Sequence, residues 1–230
     1  MASRSYGQYC GIVTALEQVG ERWALLIVRD LLVGPRRYAD LKNGLPRIPT
    51  NILSKRLKEL QEAGVVRRVP LARCGLVYEL TERGRALEPV LLALGEWGFG
   101  GMGEPGPEDV VTLDSMTMAF RTAFRPEVAA GLPPTRYEVH IGPAALNLSI
   151  DKSTLVVRPV AGGPLVRGVD GDLAPEADAD LVLVCGPGVR EVIAGTVSPG
   201  EAVETGLVSI KAGAADLFER FAATFHLDPA

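Results

Sequence analysis

Histidine is nearly absent from this chain of 230 residues, which holds only His140 and His226. General acid–base catalysis draws on histidine more than on any other side chain. His140 alternates within a strand pattern and His226 lies near the tail, so both read as structural or solvated groups. The three cysteines, Cys10, Cys74 and Cys185, are too few for a disulfide framework and too far apart for a zinc site. Gly186-Pro187-Gly188 is too short for a phosphate-cradling glycine loop. Asp170, Asp172, Asp178 and Asp180 do not have the spacing of a calcium loop and read as a solvated acidic surface. No apolar run reaches the roughly 18 residues of a membrane span. The first seven residues lack the apolar centre of a signal peptide. The expectation is a cytoplasmic protein that is not an enzyme, with no metal, no cofactor and no membrane partner.

What the chain does have is a division of charge. Residues 1–103 carry a net charge of +5 and residues 104–230 a net charge of -9, within an overall -4. A basic half suits a polyanion and an acidic half would be repelled by one. Between them runs Gly98-Phe99-Gly100-Gly101-Met102-Gly103-Glu104-Pro105-Gly106-Pro107, a sequence unsuited to continuing a helix. Two domains are expected, 1–103 and 108–230. With 47% hydrophobic residues the chain can bury a core in each.

In the basic half, Cys10 to Val19 reads as a helix, and Arg22 to Leu32 as a second with Trp23, Leu26, Ile27 and Leu31 on one stripe. A short helix covers Arg37 to Asn43, followed by a Gly/Pro turn over residues 44–49. Thr50 is expected to cap the next helix, residues 50–63, whose Leu53, Leu57 and Leu60 fall at i, i+4 and i+7 before Gly64. Two β-rich stretches, Val65 to Val69 and Leu76 to Leu80, flank a turn at Ala72-Arg73-Cys74-Gly75. Thr81 opens a last helix carrying Leu87, Val90, Leu91, Leu94 and Trp97 along one side. Helix, turn, helix and basic hairpin in that order outline a winged helix-turn-helix.

An α-helix fits the major groove of DNA, and its first turns face the base edges. Opposite the leucine stripe lie Asn51, Lys55 and Lys58, with Ser54 beside them and Thr50 at the start. Asn51 can pair adenine, and the lysines can reach guanine or phosphate. Arg56, at the edge of the stripe, is placed toward the backbone, as are Arg36 and Arg37 ahead of the short helix. Arg68 lies in the wing, residues 65–80, and Arg73 is at its tip, where a basic group can enter the minor groove. Glu62 opposes phosphate, but it can pair with Lys58 at i, i+4. A polar face with two lysines is also what any solvated helix shows. The agreement of several signals in order favours the DNA reading.

These residues also resemble the winged-helix regulators of the HxlR type. The match runs through Val19-Gly20-Glu21-Arg22-Trp23, Gly34 with Arg37-Tyr38 and Leu41, Ile48, Leu53-Ser54-Lys55-Arg56-Leu57, Leu60 and Gly64, then Tyr78, Leu80-Thr81 and Gly84. The resemblance implies double-stranded DNA as partner and a homodimer paired through the first and last helices of the domain. Cys10 sits where that family often has a cysteine, which in some members senses oxidants or electrophiles. Gly11 departs from the proline that commonly follows it. A buried, inert Cys10 is the favoured expectation over a redox-sensing one.

The acidic half reads as α+β. A helix over Val111 to Arg125 precedes strands at Tyr137 to Ile141, Ala145 to Ile150, Thr154 to Pro159 and Leu181 to Cys185. Short helices at Val189 to Ala194 and Gly200 to Thr205, a strand at Leu207 to Lys211 and a closing helix from Ala214 to Phe225 complete it. From about residue 111 to residue 227, most closely from Asp180 onward, this resembles the type-two sterol carrier proteins. That resemblance implies a sheet packed with helices around an apolar cavity. Met116, Phe120, Phe124, Phe218, Phe221 and Phe225 are its candidate lining, for a hydrophobic small-molecule effector. Methionine and aromatic residues at helical spacing are more often core residues than a cavity lining.

The expected protein is therefore a dimeric transcriptional regulator, read as a repressor. The rival is a lipid carrier whose winged helix mediates protein contacts.

Overall fold

The computed structural model describes residues 5–72, 75–142, 144–160 and 179–228, which divide into two compact units, 5–91 and 92–228. The expected tip residue Arg73, with Cys74, Asp170, Asp172 and Asp178, lies outside the described residues.

In the first unit α1 (Gly11–Val19), α2 (Ala24–Val33), α3 (Tyr38–Gly44) and α4 (Thr50–Glu62) precede β1 (Val66–Leu71) and β2 (Gly75–Leu80). The short α5 (Glu82–Arg85) follows, and α6 (Glu88–Phe99) runs from this unit into the second. Helix α4 forms because Leu53, Leu57 and Leu60 share one face, and all three are buried. It stops at Gly64, whose φ of +69 lets the Val65 N–H reach back to the Leu60 carbonyl at 2.9 Å. The strands pair antiparallel from Val66↔Leu80 to Leu71↔Gly75. Arg36 bridges Tyr78 through two backbone hydrogen bonds of 2.9 and 2.8 Å, which adds a short third edge to the wing.

Three local expectations need correction. The second helix starts at Ala24, not Arg22, because Trp23 adopts a left-handed φ of 79. Its buried stripe is therefore Ala24, Ile27, Val28 and Leu31, and Leu26 is exposed. The cap of α4 is Pro49, whose carbonyl accepts the Leu53 N–H at 2.9 Å; Thr50 is the first helical residue and no side chain caps the helix. The last helix is two helices. Pro89 has no N–H and its ring would clash with the carbonyl four residues earlier, so α6 begins just before it. Helix α5 is capped by Thr81 Oγ1, which accepts the Gly84 N–H at 3.1 Å. Gly84 must be glycine, since a Cβ there would lie 2.2 Å from the Val65 carbonyl oxygen.

The second unit holds α7 (Leu113–Ala123), α8 (Pro126–Ala129), β3 (Thr135–Ile141), β4 (Ala144–Asp151), β5 (Thr154–Pro159) and β6 (Leu181–Cys185). It continues with α9 (Val189–Ile193), α10 (Pro199–Glu204), β7 (Val208–Ala212) and α11 (Ala215–Thr224). The strands lie in the order β5-β4-β3-β6-β7, with β3 and β6 parallel and the other neighbours antiparallel. Strict alternation in β3, β4 and β6 puts Tyr137, Val139, Leu146, Leu148, Leu181 and Leu183 on one buried face.

On that core sit Phe120 from α7, Phe218 and Phe221 from α11, and Phe225 just beyond it. Their rings touch: Phe221 lies 4.9 Å from Phe225, 5.3 Å from Tyr137 and 6.1 Å from both Phe120 and Phe218. Phe124 tilts against Phe225 at 6.0 Å, and Met116 is buried in the same cluster. Five of the six residues expected to line a cavity are thus buried in one core, and Phe124 is half-buried against it. Edge-to-face aromatic pairs fill the space between α7, α11 and the sheet. Burial pushes the Tyr137 hydroxyl up to about 12, partly offset by the charge of Arg220.

Candidate nucleic-acid interface

Helix α4 carries its polar side chains on one exposed face because its leucines are locked inside. Thr50, Asn51, Ser54, Lys55 and Lys58 are all exposed. Helix α3 sets the orientation of that face. The Tyr38 hydroxyl lies 2.8 Å from the Thr50 carbonyl, to which it donates, and 3.1 Å from Ser54 Oγ. Tyr38 thereby positions the first turn of α4, a role its aromatic match to the family pattern did not reveal. Arg37, exposed at the start of α3, donates its backbone N–H to the Asp40 carboxylate at 2.8 Å.

The lysines are lightly held. Lys55 stands 3.9 Å from Glu59 and Lys58 3.8 Å from Glu62, both at i, i+4 and both open to water. Exposed pairs of this kind are worth at most about 1 kcal/mol, so a phosphate or base edge can take either lysine from its partner. On the wing, Arg68 is exposed and its guanidinium lies 5.6 Å from the centre of the Tyr78 ring, which steadies it. Arg67 is paired to Glu79 at 2.6 Å.

Two arginines placed at this interface from the sequence are internal instead. Arg56 is 6% exposed; it bonds Glu21 at 2.7 Å, also pairs with Glu59, and donates from Nε to the Arg22 carbonyl. Arg36 is 2% exposed, with Nη1 donating to the Pro35 carbonyl at 3.0 Å. Arg56 follows Lys55 on the inward side of the helix, and Arg36 is drawn in by its bridge to the wing strand. Neither is presented to a duplex.

Cys10 is exposed at the start of α1, against the expectation of a buried thiol. The backbone N–H groups of Val13 and Ile12 draw its pKa below the ordinary thiol value. Cys185 is buried and pushed up to about 12. At pH 8 the thiolate fraction of Cys10 therefore exceeds that of Cys185. Iodoacetamide should label Cys10 in the folded protein and reach Cys185 only after denaturation, as read by peptide mass mapping. Equal labelling of the two would contradict this.

Among the described residues no group of three or more histidine, cysteine, aspartate or glutamate side chains could hold a metal ion. No helix there is long and apolar enough to cross a membrane.

The HxlR-like helix-turn-helix family matches residues 18–104. The HTH-type transcriptional regulator YvaP of Bacillus subtilis (strain 168) is 39% identical over 85 residues, which cover 36% of this chain and 79% of that protein. The HTH-type transcriptional regulator Rv3095 of Mycobacterium tuberculosis is 45% identical over 86 residues, 36% of this chain and 54% of that one. The crystal structure of quinone-bound YodB from B. subtilis is 33% identical, covers 38% of this chain and 93% of that one, and superposes with a TM-score of 0.34. The match over residues 18–104 and the likeness to YvaP show the family: the chain belongs, through its N-terminal half, to the HxlR-like helix-turn-helix family.

Proposed function

We propose that the protein is a dimeric transcriptional repressor that reads an operator with helix 50–63 and the wing 65–80. The observation that carries this reading is the face of α4, where Asn51, Ser54, Lys55 and Lys58 point outward over a buried leucine stripe. The reading domain is residues 1–103, and residues 108–230 form a second domain of sterol-carrier type.

Pairing is supported by apolar side chains without cover in one copy. Ile12 and Leu16 on α1 are exposed, and so are Val90, Leu94 and Trp97 on α6. No residue of α6 is buried although most of them are apolar. A helix of that composition needs a partner surface, and a second copy supplies one with two-fold symmetry suited to a palindromic site. The packed aromatic core favours a scaffold role for the second domain. An apolar effector would have to part rings already in contact, and native mass spectrometry of the purified protein would show whether one is retained. Cys10, with its exposed and acidified thiol, is the residue through which an electrophile would act on the reader.

A gel shift with a duplex from the gene's own promoter tests the reading. The expected result is sequence-preferring, salt-sensitive retardation; a duplex bound no better than a scrambled one would sink it. Lys55→Ala or Lys58→Ala should each weaken operator binding by about 1–3 kcal/mol if that lysine contacts a base. The preference at the contacted position should relax with it, measured by fluorescence anisotropy across single-base variants.

A further inference from the structure

Between the beginnings of α2 and α4 the first unit has a cleft of about 320 Å³, lined by Arg22, Trp23, Arg47, Pro49, Ile52 and Arg56. Three cationic side chains, Arg22, Arg47 and Arg56, line it, and the carboxylates of Glu21 and Glu59 lie beside Arg56. Those carboxylates are engaged with the buried Arg56. Arg22 and Arg47 are exposed on its rim.

The backbone adds a second observation. Trp23 is the one non-glycine residue of this unit, among those described, with φ in the left-handed region. A bulky residue there is strained, and such strain gathers at functional sites. Here the conformation lays the indole under the Arg22 guanidinium, 5.2 Å from the ring centre. Stacking restricts a long side chain that would otherwise lose rotamer freedom on binding a ligand. Arg22 is thus held in place rather than left as a mobile surface cation.

Position then names the occupant. Pro49 and Ile52, the cap and third residue of α4, form a wall of the cleft. A duplex whose bases are read from the first turn of that helix carries backbone phosphates alongside the same turn.

We propose that this cleft seats a DNA backbone phosphate, with Arg22, steadied on Trp23, and Arg47 as its ligands. The proposal rests on α4 being the DNA reader. It assigns to Arg22 and Arg47 the register-setting role that the buried Arg36 and Arg56 do not perform.

The test uses the full chain, a promoter duplex and a scrambled duplex of equal length. Affinity is measured by anisotropy from 50 to 200 mM salt, with circular dichroism confirming the fold. The Arg22→Gln/Arg47→Gln protein should bind both duplexes about tenfold or more less tightly, by the same factor, with its salt slope reduced by about 1–2. Its ratio of promoter to scrambled affinity should match wild type. Trp23→Leu should reproduce part of the loss with both arginines present. Wild-type affinity and slope in the double variant would overturn the proposal while leaving the reading of α4 intact, as would a loss confined to the promoter duplex. Saturable binding of inorganic phosphate alone below millimolar concentration would make this a free-anion site and overturn the backbone assignment. Absence of DNA binding by wild type would remove both the reading and the proposal.

Discussion

Phe221→Ala is expected to lower the stability of the second unit by about 3–5 kcal/mol, the usual cost of deleting a buried aromatic ring. Phe221 is fully buried and its ring touches Phe120, Tyr137, Phe218 and Phe225. Removing it takes the common neighbour out of the cluster between α7, α11 and the sheet. The vacated space is bounded by rings on several elements, so it cannot close through one side chain shifting. Small domains are stable by only about 5–15 kcal/mol, so the transition in urea should move far. A loss under about 1 kcal/mol would mean that these rings adapt to an opening, as the walls of a ligand cavity do. It would restore the effector-binding reading of this domain.

Leu57→Ala should cost about 2–5 kcal/mol in the first unit and abolish operator binding with it. Leu57 is 2% exposed and lies between Leu53 and Leu60 on the face that fixes α4. The matched comparison is Lys58→Ala, one residue on and pointing outward. An exposed substitution of that kind should change stability by no more than about 0.5 kcal/mol while weakening DNA binding. Urea denaturation and anisotropy on the same two proteins separate the effects. If Leu57→Ala denatures and binds like wild type, the inward and outward faces of α4 have been assigned the wrong way round.

The sequence pattern carried the frame of both units. Leu53, Leu57 and Leu60 with Gly64 set α4, since an apolar period and a left-handed glycine stop are local signals. Thr154–Pro159 and Leu181–Cys185 matched the expected strands residue for residue, because apolar and β-branched residues are concentrated there. What was not legible depends on contacts distant in sequence. Arg56 is internal because Glu21, thirty-five positions earlier, is brought beside it. Arg36 is internal because Tyr78 bridges its backbone. Trp23 sits at a helix start, and nothing in its own chemistry announces a left-handed φ. The exposure of Cys10 follows from α1 carrying only Val19 into the core. Threonine is the better capping residue, yet the carbonyl that takes the first helical bond of α4 belongs to Pro49.

The central claim is that the outward face of α4 reads base sequence. The direct measurement is anisotropy of the wild-type chain and of Asn51→Ala/Lys55→Ala on a promoter duplex and a scrambled duplex, at one fixed salt concentration. The account predicts that wild type prefers the promoter duplex and that the double variant loses most of that preference while keeping its salt-sensitive affinity for the scrambled one. A double variant that discriminates the two duplexes as well as wild type does would contradict it.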